Sequence, residues 1–332
     1  MFSPGSRAVE PRLMPSVRAP AIHGPMEPLV LLSSASRLTR SEHPVLTVGN
    51  FDGVHRGHRV LLERLVARAR EIGRPSMVYT FEPSPRMVLG RGPHYRILQV
   101  EDKVSLLGQL GVDQVCLERF SPALAARPSE WFVQEVLSHR LRPSAMVVGH
   151  DFRFGRGRSG TAELVQESLP DLPFTQVEGE LEGQEIISSS SIREAVAKGR
   201  VALAAKMMGC CHRLRGRVVP GAGRGRTLGG PTANIAPETE LLPARGVYAV
   251  RLFDSEGRTL PGVANLGLRP TFGGRTYTVE VHLLDFVGDL YGDEVCVDFV
   301  ERIRDEQRFS GVEELVARIQ QDIQATREIF DQ

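Results

Sequence analysis

Leu46-Thr-Val-Gly-Asn-Phe-Asp-Gly-Val-His-Arg-Gly-His-Arg-Val-Leu-Leu62 decides the reading of this chain. An apolar, β-branched run leads into a glycine-punctuated turn carrying His55 and His58, and the turn opens into an amphipathic helical pattern. A strand, a glycine turn and a helix start in this order form an anion site. Gly53 and Gly57 let the backbone approach a phosphate, and the helix N-terminus contributes partial positive charge. Asn50 stands at the mouth of the same turn. The two histidines supply donors that follow charge as it develops on a phosphoryl group.

Outward from this stretch, strand-like and helix-like segments alternate. Val45–Val48, Met77–Phe81, Gln114–Leu117 and Ala145–Val148 read as strands. Val60–Ile72, Lys103–Leu110, Glu130–Arg140, Ile192–Lys198 and Val201–Met208 read as helices, the first with Leu61, Leu65, Ala69 and Ile72 on one face and Gly73 as its C-cap. The alternation predicts a doubly wound, mainly parallel α/β sheet with ligands beyond the strand C-termini.

Near Cys210 the rhythm changes. Arg213–Val219, Val247–Leu252, Leu260–Ala264, Thr276–Leu284 and Glu294–Phe299 are strand-like, Asp254–Gly257 is a turn, and Leu315, Ile319 and Ile323 mark a closing amphipathic helix. This half reads as a strand-rich barrel or sandwich with a terminal helix. The expected division is 1–27 as a disordered extension, 28–208 as an α/β domain and 209–332 as a β domain. Five prolines and three arginines without an apolar core in the first 25 residues argue against a signal peptide, and Met26 is an alternative start.

Composition narrows the classes. The 332 residues suit two domains, and a net charge of +1 gives no reason to expect nucleic acid or a membrane surface as partner. No stretch approaches the roughly 18 consecutive apolar residues of a membrane span. Four cysteines without a C-x-x-C pair do not form a disulfide or zinc framework, which fits a reducing cytoplasm; a monomer or weak homo-oligomer is expected.

Two further segments carry chemistry. Ile187-Ser-Ser-Ser-Ser-Ile-Arg193 places the hydroxyls of Ser188, Ser189 and Ser190 at a helix start, followed by one guanidinium. That is an anion cradle or, alone, an N-cap. Gly221-Ala-Gly-Arg-Gly-Arg-Thr-Leu-Gly-Gly-Pro-Thr-Ala-Asn234 is glycine-dense and basic and ends in a hydroxyl and an amide. It is either a solvated loop or a phosphate loop. In the latter, Gly221, Gly223 and Gly225 admit phosphates, Arg226 neutralises them, and Thr232 and Asn234 hold Mg²⁺, a hard cation. It lacks the GK[ST] ending of a Walker A loop. For the histidine turn, a metal site and a plain structural turn are the competing readings, although H-x-x-H has no evident third ligand nearby.

Gly53-Val-His-Arg-Gly-His58 resembles the HxGH signature of the nucleotidyltransferase superfamily, and Ile187–Arg193, about 130 residues downstream, resembles its ISSTxIR signature. Asn50-Phe-Asp-Gly53, Phe81-Glu-Pro-Ser-Pro85 and Val147-Val-Gly-His-Asp-Phe-Arg-Phe-Gly155 resemble the adenylyltransferase module of bacterial bifunctional riboflavin kinase/FAD synthetases. The segment ending in Pro-Thr-Ala-Asn234 is similar to that family's riboflavin kinase motif. Gly246-Val-Tyr248, Val279-Glu-Val-His-Leu-Leu-Asp-Phe286 and Ile303-Arg304 follow in family order.

The resemblance implies a Rossmann-like adenylyltransferase domain joined to an antiparallel kinase barrel. It also implies riboflavin, FMN, FAD and ATP as substrates and products, ATP as co-substrate and Mg²⁺ as cofactor. His55 and His58 would stabilise adenylyl transfer, and Asp151 and Arg193 would bind nucleotide. Thr232 and Asn234 would contact Mg-ATP, Glu280 would be the kinase base, and Arg304 would line the nucleotide site. Three departures stand in binding loops: Ser84 where a histidine is common, His150 before Asp151, and Gly230 before the Pro-Thr-Ala-Asn segment. For Phe152 and Phe154, core packing and flavin contact are both open.

Overall fold

The computed structural model describes residues 29–32, 43–90, 95–182, 185–220, 232–271 and 274–331. The expected N-terminal extension, Gly221, Gly223, Gly225, Arg226 and Gly230 lie outside them.

The first unit is built on six strands: β1 (Val30–Leu32), β2 (Val45–Val48), β3 (Ser76–Phe81), β4 (Gln114–Glu118), β5 (Ala145–Gly149) and β6 (Phe174–Val177). They form one sheet in the order β1-β4-β3-β2-β5-β6, and every pairing is parallel. The chain leaves the central β2 towards β3 and β4, then crosses back to β5 on its other side. The C-terminal ends of β2 and β5 therefore border the topological switch point, where such sheets bind ligands. The strands read as continuous apolar runs because helices cover both faces: all of β2 is buried.

Helices α1 (Arg56–Ile72), α2 (Pro85–Leu89), α3 (Val100–Gln109), α4 (Pro122–Ala125) and α5 (Ser129–Trp131) follow in chain order. Helix α1 begins four residues earlier than its apolar pattern suggests, because His55 itself is the N-cap and its ring accepts from the His58 amide. Its end at Gly73 in the left-handed region is as expected. The helix expected over Glu130–Arg140 is α5 running into a π-helical segment, Phe132–Leu141, which buries Phe132, Val133, Val136, Leu137 and Leu141. Helix α6 (Ala162–Ser168) and strand β6 were not legible in the pattern. A short hairpin of β7 (Leu181–Glu182) and β8 (Glu185–Ile186) precedes α7 (Ser189–Ala197) and α8 (Val201–Met208).

The second unit is a closed antiparallel barrel, which settles the choice between barrel and sandwich. Its strands are β9 (His212–Val219), β10 (Thr232–Pro237), β11 (Gly246–Phe253), β12 (Thr259–Thr271), β13 (Gly274–Leu283) and β14 (Glu294–Arg304), ordered β10-β13-β12-β11-β14-β9 and closed by β9 on β10. Strand β10 coincides with the Thr-Ala-Asn segment read from sequence as the end of a loop. Ala233 and Ile235 point into the core with Val279, Val281, Ala264 and Leu266. Period-two alternation then places Thr232, Asn234, Glu280, His282 and Asn265 on the outer face. Helix α9 (Val312–Phe330) packs across β11, β12 and β14.

The units are joined by packing as well as by the chain. Val201 of α8 lies within the barrel core, and Leu241 of the barrel lies in an apolar cluster with Ile97, Ile187, Ile192 and Met207.

Candidate active sites

Nine of the residues singled out in the first unit line one cavity of about 310 Å³ at the switch point: Asn50, His55, Gly57, His58, Asp151, Ser188, Ser189, Ser190 and Arg193. Gly53 lies beneath it. Its φ of +86° suits glycine, and a Cβ there would sit 3.1 Å from the Ile97 side chain.

The two histidine rings stack, with centroids 3.6 Å apart and planes 18° from parallel, and Phe51 tilts onto His58 at 5.0 Å. Burial pushes His55 down to about 4, against a small upward pull from Asp151. His58 is held well below the usual histidine range by burial, then by His55 and Lys103. Both rings are therefore neutral near pH 7 and act as oriented N–H dipoles. His58 Nδ1 is buried with no hydrogen-bond partner in the protein. The chemistry of this pair suits a ligand that brings its own negative charge.

The serine segment meets the histidine turn through Asp52. The Arg193 guanidinium pairs with the Asp52 carboxylate, donates from Nε to Tyr95 O (2.8 Å) and from Nη1 to Ser189 O (3.0 Å). Ser189 Oγ donates to Asp52 O at 2.9 Å. Ser188 is the N-cap of α7 in a reciprocal box with Ser191, and Ser190 Oγ accepts from Arg86 Nη1 at 2.8 Å. The serine run caps α7, and Ser188, Ser189 and Ser190 at its N-terminus line the cavity.

Sequence reasoning missed Asp52, Arg86 and Lys103. Lys103 is buried behind the turn, with Nζ 3.4 Å from Asn50 O, Thr80 Oγ1 and Phe81 O. Burial lowers its proton affinity, although Glu82 and Asp52 pull the other way.

A second cavity of about 400 Å³ adjoins the first and shares Val48, Asn50, Arg86, Phe152, Arg153 and Arg158 with it. Its walls include Phe81, Phe120, Trp131, Phe132 and Phe154. Phe152 and Phe154 stack at 5.2 Å and belong to the core while also lining this space, so the two readings of these rings are compatible. His150, the departure before Asp151, lies against Gly179, where a Cβ would come within 2.7 Å of the imidazole. The glycine makes room for the larger side chain.

On the barrel, Glu280 stands in register with Asn234 on one side and Asn265 on the other. Thr232 pairs with His282 one step along. Hydroxyl, amide and carboxylate oxygens from adjacent strands make a hard donor set, which fits Mg²⁺. Among the described residues no group of three or more His, Cys, Asp or Glu is placed to hold a metal. Arg304 grips Asp322 of α9 with Nε and Nη2 at 3.0 and 2.8 Å and lies over Phe309. It fastens the terminal helix to the barrel.

These two halves match two family models, FAD synthetase over residues 38–191 and riboflavin kinase over residues 208–330. A bifunctional riboflavin kinase/FMN adenylyltransferase of Escherichia coli K12 is 42% identical over 290 residues, 86% of this chain and 92% of that protein. One from Bacillus subtilis 168 is 35% identical over 293 residues, with 86% and 92% covered. A crystal structure described as a macrolide-efflux protein from Streptococcus pneumoniae superposes with a TM-score of 0.82 at 31% identity, covering 90% of this chain and 98% of that one. Among the described residues no helix is long and apolar enough to cross a membrane. The chain belongs to the bifunctional riboflavin kinase/FMN adenylyltransferase family.

Proposed function

We propose that the barrel phosphorylates riboflavin to FMN and that the α/β unit joins FMN to AMP, giving FAD. The observation that carries this reading is the adjacency of the two cavities. A polar space with stacked neutral histidines shares Arg86, Arg153 and Arg158 with an apolar space walled by aromatic rings. A flat isoalloxazine suits the aromatic space, and its 5′-phosphate would meet the shared arginines. ATP would occupy the polar space with its phosphates towards His55, His58, Arg193 and the α7 N-terminus.

In the adenylyl step, an FMN phosphate oxygen attacks the α-phosphorus of ATP and pyrophosphate leaves. The nucleophile is already an anion, so no general base is required. The protein contributes position and charge stabilisation. Neutral imidazoles donate hydrogen bonds to the α-phosphate as charge shifts onto the leaving oxygens. Gly57 and Asn50 line the approach, with Asp151 beside the histidines.

In the kinase step, the riboflavin 5′-hydroxyl attacks the γ-phosphorus and ADP leaves. That hydroxyl must lose a proton, and Glu280 takes it. Thr232 and Asn234, one of them directly opposite Glu280, would hold Mg²⁺. The bound ion would neutralise β- and γ-phosphate charge. The four cysteines are free thiols, which supports a cytoplasmic setting.

Time-resolved chromatography of riboflavin, ATP and Mg²⁺ with the protein tests the reading. FMN appears first and FAD follows. FMN without FAD would remove the adenylyl assignment, and neither product would remove both.

A further inference from the structure

Three consecutive residues, Tyr95, Arg96 and Ile97, hold both signature segments of the α/β cavity. Tyr95 O accepts from Arg193 Nε at 2.8 Å, and Ile97 N donates to Asp52 Oδ1 at 3.0 Å. Ile97 is also the side chain on which Gly53 rests. Arg96 supplies no contact to the cavity itself. Its guanidinium spans Glu82 (Nη2–Oε1, 2.5 Å), just beyond β3, and Glu240 (Nη1–Oε1, 2.7 Å), in the barrel loop between β10 and β11. The Arg96 amide also donates to Glu240 Oε2 at 3.2 Å, so one carboxylate grips side chain and backbone together. Leu241, next in the loop, is buried against Ile97 and Ile192 of α7.

We propose that Glu240, a barrel residue, is a positioning residue for adenylyl transfer: through Arg96 it fixes the Tyr95–Ile97 segment that orients Asp52 and Arg193. The proposal rests on the reading of the α/β cavity as the adenylyl-transfer site. Sequence places Glu240 in the kinase half, 47 residues after Arg193 and 188 after Asp52, yet the residue its carboxylate holds, Arg96, is the chain neighbour of both of their contacts. The side chains of Glu240, Arg96 and Glu82 are only 33%, 26% and 23% exposed, so solvent does not fully screen the pairs. Charged hydrogen bonds to a backbone amide and a guanidinium set a segment's position more firmly than an exposed ion pair. The barrel thus completes the scaffold of a reaction it does not perform.

The test uses the full-length chain carrying Glu240→Gln, Glu240→Asp, Arg96→Gln or the Arg96→Gln/Glu240→Gln pair. FAD formation from FMN and ATP is measured with riboflavin phosphorylation and thermal unfolding on the same preparations. Small misplacements of phosphate-binding groups cost about tenfold or more in rate. Glu240→Gln is expected to lower kcat for FAD formation about tenfold, with KM for FMN changed less than twofold because the aromatic cavity is untouched. Glu240→Asp recovers part of the loss. The double variant is no slower than Arg96→Gln alone, since both act through one contact.

An unchanged kcat in Glu240→Gln overturns the proposal. So does a parallel fall in both activities with early unfolding, which would mark a purely structural role. If the unaltered protein makes FMN but no FAD, or if His55→Ala leaves FAD formation intact, the cavity reading itself fails. The positioning role then falls with it.

Discussion

Asn234 and Glu280 face one another across β10 and β13, on the outer surface of a barrel whose interior is filled by their sequence neighbours. Ala233 and Ile235 on one strand and Val279 and Val281 on the other anchor both residues from beneath. A carboxylate held on rigid strands beside an amide is suited to take a proton from a hydroxyl placed against it. Glu280→Gln keeps the shape and removes the proposed base. Riboflavin phosphorylation is expected to fall about 10²–10⁴-fold, while FMN adenylylation by the same preparation persists. Equal loss of both activities would defeat the independent chemistry of the two units.

Asp52 and Arg193 come from segments 141 residues apart and are both largely buried. Removing one charge leaves its partner uncompensated, a cost of about 3–5 kcal/mol for a buried pair. Asp52→Asn is therefore expected to abolish most FAD formation and to lower the unfolding temperature. Arg193→Lys should also fail, because one ammonium cannot reproduce contacts to Asp52, Tyr95 O and Ser189 O from a planar fork. Steady-state FAD formation and calorimetry check both, and a Lys variant with unimpaired turnover would show that the fork is not needed.

Trp131 lines the aromatic cavity, with Arg127 at 5.1 Å and Arg140 at 5.7 Å from its ring. Stacked aromatic contacts contribute about 0.5–1.5 kcal/mol beyond area. Trp131→Ala is expected to raise KM for FMN about tenfold in adenylylation without changing KM for riboflavin in phosphorylation. Fluorescence titration with FMN reads the same change. Unaltered FMN affinity would move the flavin elsewhere.

What the sequence made legible was local. The glycine turn, the serine cap and the apolar runs each announce themselves within a dozen residues, because backbone geometry and helix ends impose strict chemistry on short segments. The strand order and the switch point between β2 and β5 came from the structure, whereas the mainly parallel sheet followed from alternation. The Asp52–Arg193 pair, buried Lys103 and the grip of Glu240 on Arg96 did not, since each joins residues far apart in the chain and none has a local signature. The aromatic cavity escaped for the same reason: Phe81, Phe120, Trp131 and Phe154 are scattered over four segments. Strand β10 was hidden by its own chemistry, because Thr232 and Asn234 read as ligands while only Ala233 and Ile235 carried the strand signal. Arg304 is a further long-range case: its pairing with Asp322 of α9 has no signature in the Ile303-Arg304 motif itself.

Acid should weaken the α/β unit through its histidines. His55 is pushed from an ordinary 6.5 to about 4, chiefly by burial, and His58 is shifted the same way. Between these values the unfolded chain binds protons that the folded chain refuses, so stability rises with pH across this window. It is complete above about 6.5 and lost as pH falls towards 4. For His55 alone the shift amounts to something on the order of 3 kcal/mol. His55→Asn retains a side chain able to cap α1 but cannot titrate. Its unfolding temperature is expected to fall less steeply than that of the unaltered protein between pH 6.5 and 4.5, with the two curves parallel above pH 7. Saturating ATP should flatten the unaltered curve as well, because bound phosphates favour the protonated ring. Identical slopes for the two proteins would show that the stacked pair is not held neutral by its burial.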